Sequence, residues 1–162
     1  MVYEPRTYRQ RVSGRGLVSF SVVEKETDLF ILAGKDLARE ALVAVQKCRS
    51  QLEGYIREHP GFGVTLEPLV VEEGAPPIVR EMAAAARSAG VGPMAAVAGA
   101  VAEFVGREFL PHSDEVIVEN GGDIFMKVSQ KRTIGVYAGK SPLTGRIALE
   151  ILPEETPLGV CT

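Results

Sequence analysis

Hydrophobic and polar positions change their period twice along the chain. Residues 17–24 (LVSFSVVE) and 28–33 (DLFILA) are rich in β-branched and aromatic side chains and are parted by Lys25-Glu26-Thr27. With the Tyr/Arg-rich run that precedes them from Tyr3, they predict an antiparallel meander. The period then lengthens. Leu37, Ala41, Val45, Cys48, Leu52 and Tyr55 or Ile56 recur every three to four positions, which predicts an amphipathic helix capped near Asp36 and closed before Pro60-Gly61.

Residues 60–77 hold a concentration of Gly and Pro and predict loop, with one short strand around 64–66. A second helix is expected from Pro77 to Gly90, with proline in its first turn and glycine past its last, and a third over 94–109. Eleven of the 17 alanines fall within 75–102, so these two helices present small faces that something approaches closely. After Pro111 the period returns to two. Residues 115–119 (EVIVE), 123–128 (DIFMKV), 133–138 (TIGVYA) and 146–152 (RIALEIL) read as strands, the first two joined by a hairpin turn. Strands, then helices, then strands define an α+β fold with helices packed on a largely antiparallel sheet.

Composition narrows the function classes. An apolar fraction of 46% with 24% charged residues excludes a disordered chain, and 162 residues is one ordinary domain. The net charge of -3 gives no general attraction to nucleic acid. Cys48 and Cys161 are too few for a disulfide scaffold or a thiolate zinc site. No cationic start followed by an apolar run and no stretch of about 18 apolar residues is present, so a cytoplasmic location with no membrane partner is expected.

Two nucleotide motifs fail on context. Gly135-Val-Tyr-Ala-Gly139-Lys140-Ser141 has three residues between its glycines where a phosphate loop needs four, and Pro142 follows where a helix must start. Gly90-Val-Gly92-Pro-Met-Ala95 fits G-x-G-x-x-A but follows a helix, not a strand. Its second half still places Gly92, Pro93, Met94, Ala95, Ala96 and Gly99 at a helix start where a ligand can reach backbone, or where the helix packs tightly on the sheet.

Glu119-Asn120-Gly121-Gly122-Asp123 is the sharpest local feature. The Asn-Gly pair is a hairpin signal, and the flanking acids Glu119 and Asp123 are candidate ligands for a hard cation such as Mg2+ or acceptors for ribose or flavin edges. Arg6, Arg9, Arg11 and Arg15 with Tyr3 and Tyr8 fit a phosphate grip, or more simply the charged face of an edge strand. His59 and His112 have no partner spaced for metal binding or catalysis.

The runs ETDL (26–29), YIREHP (55–60), VGPMAAVAGAVA (91–102) and VENGGDI (118–124) together resemble an uncharacterised group of bacterial and archaeal proteins related to the ApbE superfamily, the FAD:protein FMN transferases. The resemblance to that group covers nearly the whole chain. To the transferases it rests on the small-residue helix and the Gly-Gly-Asp turn. It implies an ApbE-like domain binding FAD or FMN with Mg2+, transferring FMN to a Ser or Thr of a protein acceptor, or a non-catalytic binding or assembly module of the same fold. Asn120, Gly121, Gly122 and Asp123 would line the flavin site, with residues 92–99 as its wall and Asp123 as the catalytic and metal-binding carboxylate beside Glu119.

The sequence departs from the transferase pattern in two ways. No lysine occurs within 88–110, so phosphate neutralisation would fall to Arg6, Arg9 or Arg107. Gly159-Val160-Cys161-Thr162 reads as the start of a loop, so a C-terminal segment holding further acidic ligands is expected to be missing from 1–162. Antiparallel edges and small-residue faces also suggest a homodimer.

Overall fold

The computed structural model describes residues 6–11 and 14–161, with backbone alone at Gln10 and Arg11. Seven strands and three α-helices alternate with 3-10 turns: β1 (Val18–Glu24), β2 (Thr27–Ala33), α1 (Ala38–Glu58), α2 (Pro77–Ala89), α3 (Val97–Phe109), β3 (Val116–Asn120), β4 (Asp123–Lys127), β5 (Arg132–Gly135), β6 (Ala148–Ile151) and β7 (Leu158–Val160). The main sheet has the order β1-β2-β3-β4-β7, and β5 and β6 form a separate ribbon. Every pairing is antiparallel, as the α+β reading expects.

Alternation along the strands gives the sheet two differently built faces. Leu29, Ile31, Ala33, Val116, Val118 and Phe125 point to one side, where they form the main core with the three helices. α1 supplies Ala41, Val45, Cys48, Leu52 and Tyr55, the stripe its periodicity predicts, and Asp36 Oδ1 accepts the Ala38 amide at 2.9 Å in its first turn. α2 has Pro77 in its first turn and closes on Gly90 in the left-handed region. On the opposite face Ile117, Ile124, Met126 and Leu158 meet Ile134 and Ile151 of the ribbon in a second, smaller core.

Glycine decides two close approaches. A Cβ on Gly106 would lie 2.2 Å from the Phe125 ring, so its absence lets α3 settle onto β4. A Cβ on Gly92 would lie 1.9 Å from the Thr65 carbonyl oxygen, so the loop after α1 crosses directly over this backbone.

Several expectations are corrected. The described part of the Tyr/Arg-rich run is a 3-10 turn, Thr7–Arg11, because Arg9 reaches the carboxylates of Asp28 and Glu119 instead of pairing as a strand. Residues 64–66 form no strand, since Gly61 carbonyl bonds fold them into a turn. The third helix opens with a 3-10 turn, Pro93–Ala96, before Val97. Gly159 and Val160, expected to open a loop, belong instead to an edge strand on β4, Leu158–Val160. Among the described residues no single helix is long and apolar enough to cross a membrane.

Candidate functional site

A cleft of about 500 Å³ opens between α2 and α3 on one side and β4 and β7 on the other. Its helical wall is small because alanines and a glycine face it: Ala84 and Ala85 of α2, Ala95 and Ala96 of the 3-10 turn, and Gly99 and Ala100 of α3. Phe125, Gly159 and Val160 close the sheet side, with Cys161 at the rim. Asp123, the first residue of β4, is half-buried there, and its Oδ2 lies 3.6 Å from where a Cβ on Gly99 would stand. The missing side chain at Gly99 leaves room for something beside that carboxylate.

The turn that presents Asp123 is held from both faces of the sheet. Asn120 pairs with Asp123 across the hairpin, and the two loop residues, Gly121 and Gly122, have φ of 64° and 107°. Two positive φ values in succession favour glycine at both. On the helix side Asn120 Nδ2 donates to the Ala98 carbonyl at 3.1 Å. On the far side Glu119 Oε1 accepts the Gly122 amide at 2.8 Å.

Glu119 and Asp123 therefore do not share a cation. Glu119 lies opposite Ile124 and Asp123 opposite Asn120 in the register, so the two carboxylates emerge on opposite faces. Glu119 is 10% exposed and fully occupied: Arg9 Nε donates to Oε2 at 2.6 Å and the Tyr8 hydroxyl to Oε1 at 2.8 Å. Arg9 also meets Asp28 Oδ1 at 2.7 Å, over the Phe30 ring, and Arg6 meets Asp28 Oδ2 at 3.2 Å. Burial, reinforced by the Glu119 carboxylate, pushes the Tyr8 hydroxyl above its ordinary pKa. Arg6, Tyr8 and Arg9 of the basic arm are thus internal wiring rather than an edge-strand face, whereas Arg15 is exposed, and the arm's Arg11, Tyr3 and remaining residues up to 5 fall outside the side chains described.

The other expected residues divide clearly. Ala95, Ala96, Gly99 and Asp123 converge on the cleft. Gly92 and Pro93 are buried beneath the 60–66 loop and Met94 packs on the main core, so those three shape the helix start from behind. Asn120, Gly121 and Gly122 form the turn that aims Asp123. Sequence reasoning missed Phe125, Val160 and the acids Glu81 and Glu103, which also line the cleft. Phe125 was recoverable, being two residues from Asp123 on the same strand face; β7 had no signal, because three residues show no period.

Charge in the cleft is negative. Glu81, Glu103 and Asp123 face it, and Arg107, the cation at its edge, is spent between Glu81 (3.2 Å) and Glu103 (2.5 Å). Arg9 is likewise committed behind the sheet. Among the described residues no group of three or more metal-ligating side chains occurs. A second, polar cleft of about 180 Å³ lies between the β1–β2 hairpin and α1, where Arg49 and Lys25 both pair with Glu53.

Fold and site define a class: an antiparallel sheet layered with three helices, carrying an acidic, small-residue cleft between helix and sheet. The chain belongs to the family described as AbpE bacteria, whose model matches residues 9–162. It is 44% identical over 140 residues to a UPF0280 protein of Methanospirillum hungatei, a match covering 85% of this chain and 57% of that protein. A UPF0280 protein of Methanopyrus kandleri is 43% identical over 148 residues, covering 90% and 59%, and one of Methanocaldococcus jannaschii 39% over 144 residues, covering 87% and 58%. The chain spans less than three fifths of the length of these relatives.

Proposed function

We propose that the cleft binds a flavin nucleotide, FAD or FMN, with its ring system against the alanine wall and Phe125 and its phosphates held through Mg2+ at Asp123. One observation carries this reading: the Asp123 carboxylate lies beside Gly99, where no side chain intervenes, in a cleft of about 500 Å³ walled by alanines and Phe125. That size lies within the range of small-molecule sites, and flat apolar walls suit a flavin ring. The resemblance of the VENGGDI and alanine-helix runs to the ApbE flavin transferases points the same way.

Electrostatics supports the metal. A pyrophosphate entering a cleft with three carboxylates and one neutralised arginine is repelled unless a cation accompanies it. Mg2+ is commonly held by one or two carboxylates together with substrate phosphates and water, so a single aspartate is an adequate protein contribution. When bound, Mg2+ would neutralise charge on the phosphates. Asp123 would hold it, Asn120 and Glu119 fix the turn that carries Asp123, and Phe125 with the alanines would exclude water from the ring.

In the transferase reading, a Ser or Thr oxygen of a protein acceptor bonds to the FMN phosphorus, the bridging P–O bond breaks, and AMP leaves with the electron pair while the hydroxyl proton passes to base or water. The second reading, a binding module without turnover, is favoured by the committed state of Arg9 and Arg107, which leaves the departing phosphate no described arginine in the cleft. Titrating the protein with FAD and Mg2+ while following flavin fluorescence tests binding. A saturable, Mg2+-dependent change in the micromolar range is expected, weakened by about tenfold or more in Asp123→Ala, the scale of one lost charged contact. Arg132→Ala, on the ribbon, should leave it unchanged; no response at high micromolar FAD refutes the reading. Acceptor labelling with AMP release then separates enzyme from binder.

A further inference from the structure

The N-terminal 3-10 turn lies on the face of the sheet opposite the cleft, yet its side chains end on the hairpin that carries Asp123. Glu119 is the junction. One of its oxygens accepts both the Gly122 amide (2.8 Å) and the Tyr8 hydroxyl (2.8 Å), and the other accepts Arg9 Nε (2.6 Å). Arg9 is in turn fixed by Asp28 Oδ1 at 2.7 Å and by the Asp28 carbonyl at 2.9 Å, so its guanidinium bridges β2 and β3 beneath the turn. Arg6 adds a bond to the same carbonyl at 2.6 Å and lies against Gly121, its Nη2 3.6 Å from where a Cβ would stand.

We infer that residues 6–11 act as a strap that positions the cleft carboxylate, with Tyr8 and Arg9 as positioning residues working through Glu119 and Gly122 on Asp123. Three features make this more than packing. Its two bonding arginines are nearly as buried as core residues, at 13% exposure for Arg9 and 14% for Arg6, although the turn itself is polar and short. Buried charges with several hydrogen bonds hold geometry stiffly, because every partial displacement leaves an ion unpaired in a poorly solvated place. Glu119 passes the strap's bonds on to the turn: it also accepts the Gly122 amide, and Asp123 is the next residue, so fixing that amide limits where the carboxylate can stand.

The chemistry of a strap differs from that of a wall. A wall residue touches ligand; Tyr8 and Arg9 sit across the sheet from it and can affect ligand only by altering where Asp123 stands and how strongly it holds a cation. That the turn matters for a flavin ligand rests on the function proposed above, whereas the mechanical coupling of strap to turn is tested without any ligand.

The test uses the whole chain. Amide exchange at Gly122 and the carboxyl carbon resonance of Asp123 are followed by NMR in the ligand-free protein and in Tyr8→Phe, Arg9→Met and Glu119→Ala. Each variant should speed Gly122 exchange by about tenfold or more, the loss expected for a hydrogen bond to a charged group, and should shift the Asp123 resonance, with α1 amides unchanged. Tyr8→Phe removes one hydrogen bond and no charge, so it carries the test if Arg9→Met fails to fold. Unchanged Gly122 exchange and an unmoved Asp123 signal in Tyr8→Phe overturn the strap, as does acceleration spread equally over α1. In the FAD titration, Tyr8→Phe should weaken binding in the wild-type background and add nothing in Asp123→Ala; a wild-type protein that ignores FAD defeats the flavin reading alone and leaves the exchange result to decide the strap.

Discussion

Gly106 shows how one absent methyl group sets the shape of the cleft. It sits on α3 where the ring of Phe125 would otherwise meet a Cβ at 2.2 Å, and Phe125 is 4% exposed, so the ring has nowhere to retreat except toward the cleft. Alanine gains about 1 kcal/mol of helix propensity over glycine, while overpacking a filled core costs about 1–3 kcal/mol. The clash wins. An approach of 2.2 Å places the cost in the upper part of that range, so Gly106→Ala should lower stability by about 1–2 kcal/mol in urea unfolding and reduce the space available to ligand; unchanged or increased stability would mean that Phe125 repacks freely. Residues such as this were half legible. A glycine inside a helical pattern signals a close approach, but only the register of β4 identifies Phe125 as what approaches. Asp123 was legible as a candidate because acids flank a hairpin turn. Glu119 was misread as its partner because sequence spacing does not say which face of a two-residue hairpin each acid takes, and the observed register puts them on opposite faces.

At the scale of elements, the helices and central strands follow their periodicities because each buries one continuous apolar stripe against the same core. Elements that depend on partners distant in sequence were not legible: β7 exists because β4 offers an edge, and the 3-10 turn of residues 7–11 exists because Asp28 and Glu119 need cations. The ribbon is joined to the sheet in a similar way. Glu115, immediately before β3, accepts Arg132 Nε at 2.7 Å, the Ser129 hydroxyl at 2.7 Å and Gln130 Nε2 at 3.1 Å. Burial pushes this carboxyl up, but bonds from Ser129, Arg132 and Gln130 outweigh it and hold it below the ordinary carboxylate range. A depressed folded pKa means the latch contributes fully above the unfolded value of about 4.3 and is lost as pH falls through the folded value. Glu115→Gln should therefore destabilise the protein at neutral pH and flatten the loss of stability on acidification below about pH 4.3. An acid limb as steep as wild type in urea unfolding at stepped pH would contradict the latch.

Across the whole molecule, the sheet separates two kinds of work. Its helical face holds the main core and the cleft, and its far face holds the ribbon core and the charged strap. Asp123 stands where the two meet, presented to the cleft by a turn held from behind. The most direct measurement of the central claim is chemical-shift mapping of the intact chain titrated with FAD and Mg2+. The account predicts saturable shifts confined to Ala84, Ala95, Gly99, Asp123, Phe125 and their immediate neighbours. Shifts centred instead on the polar cleft at Gln46, Arg49 and Glu53, or none at saturating FAD, would contradict it.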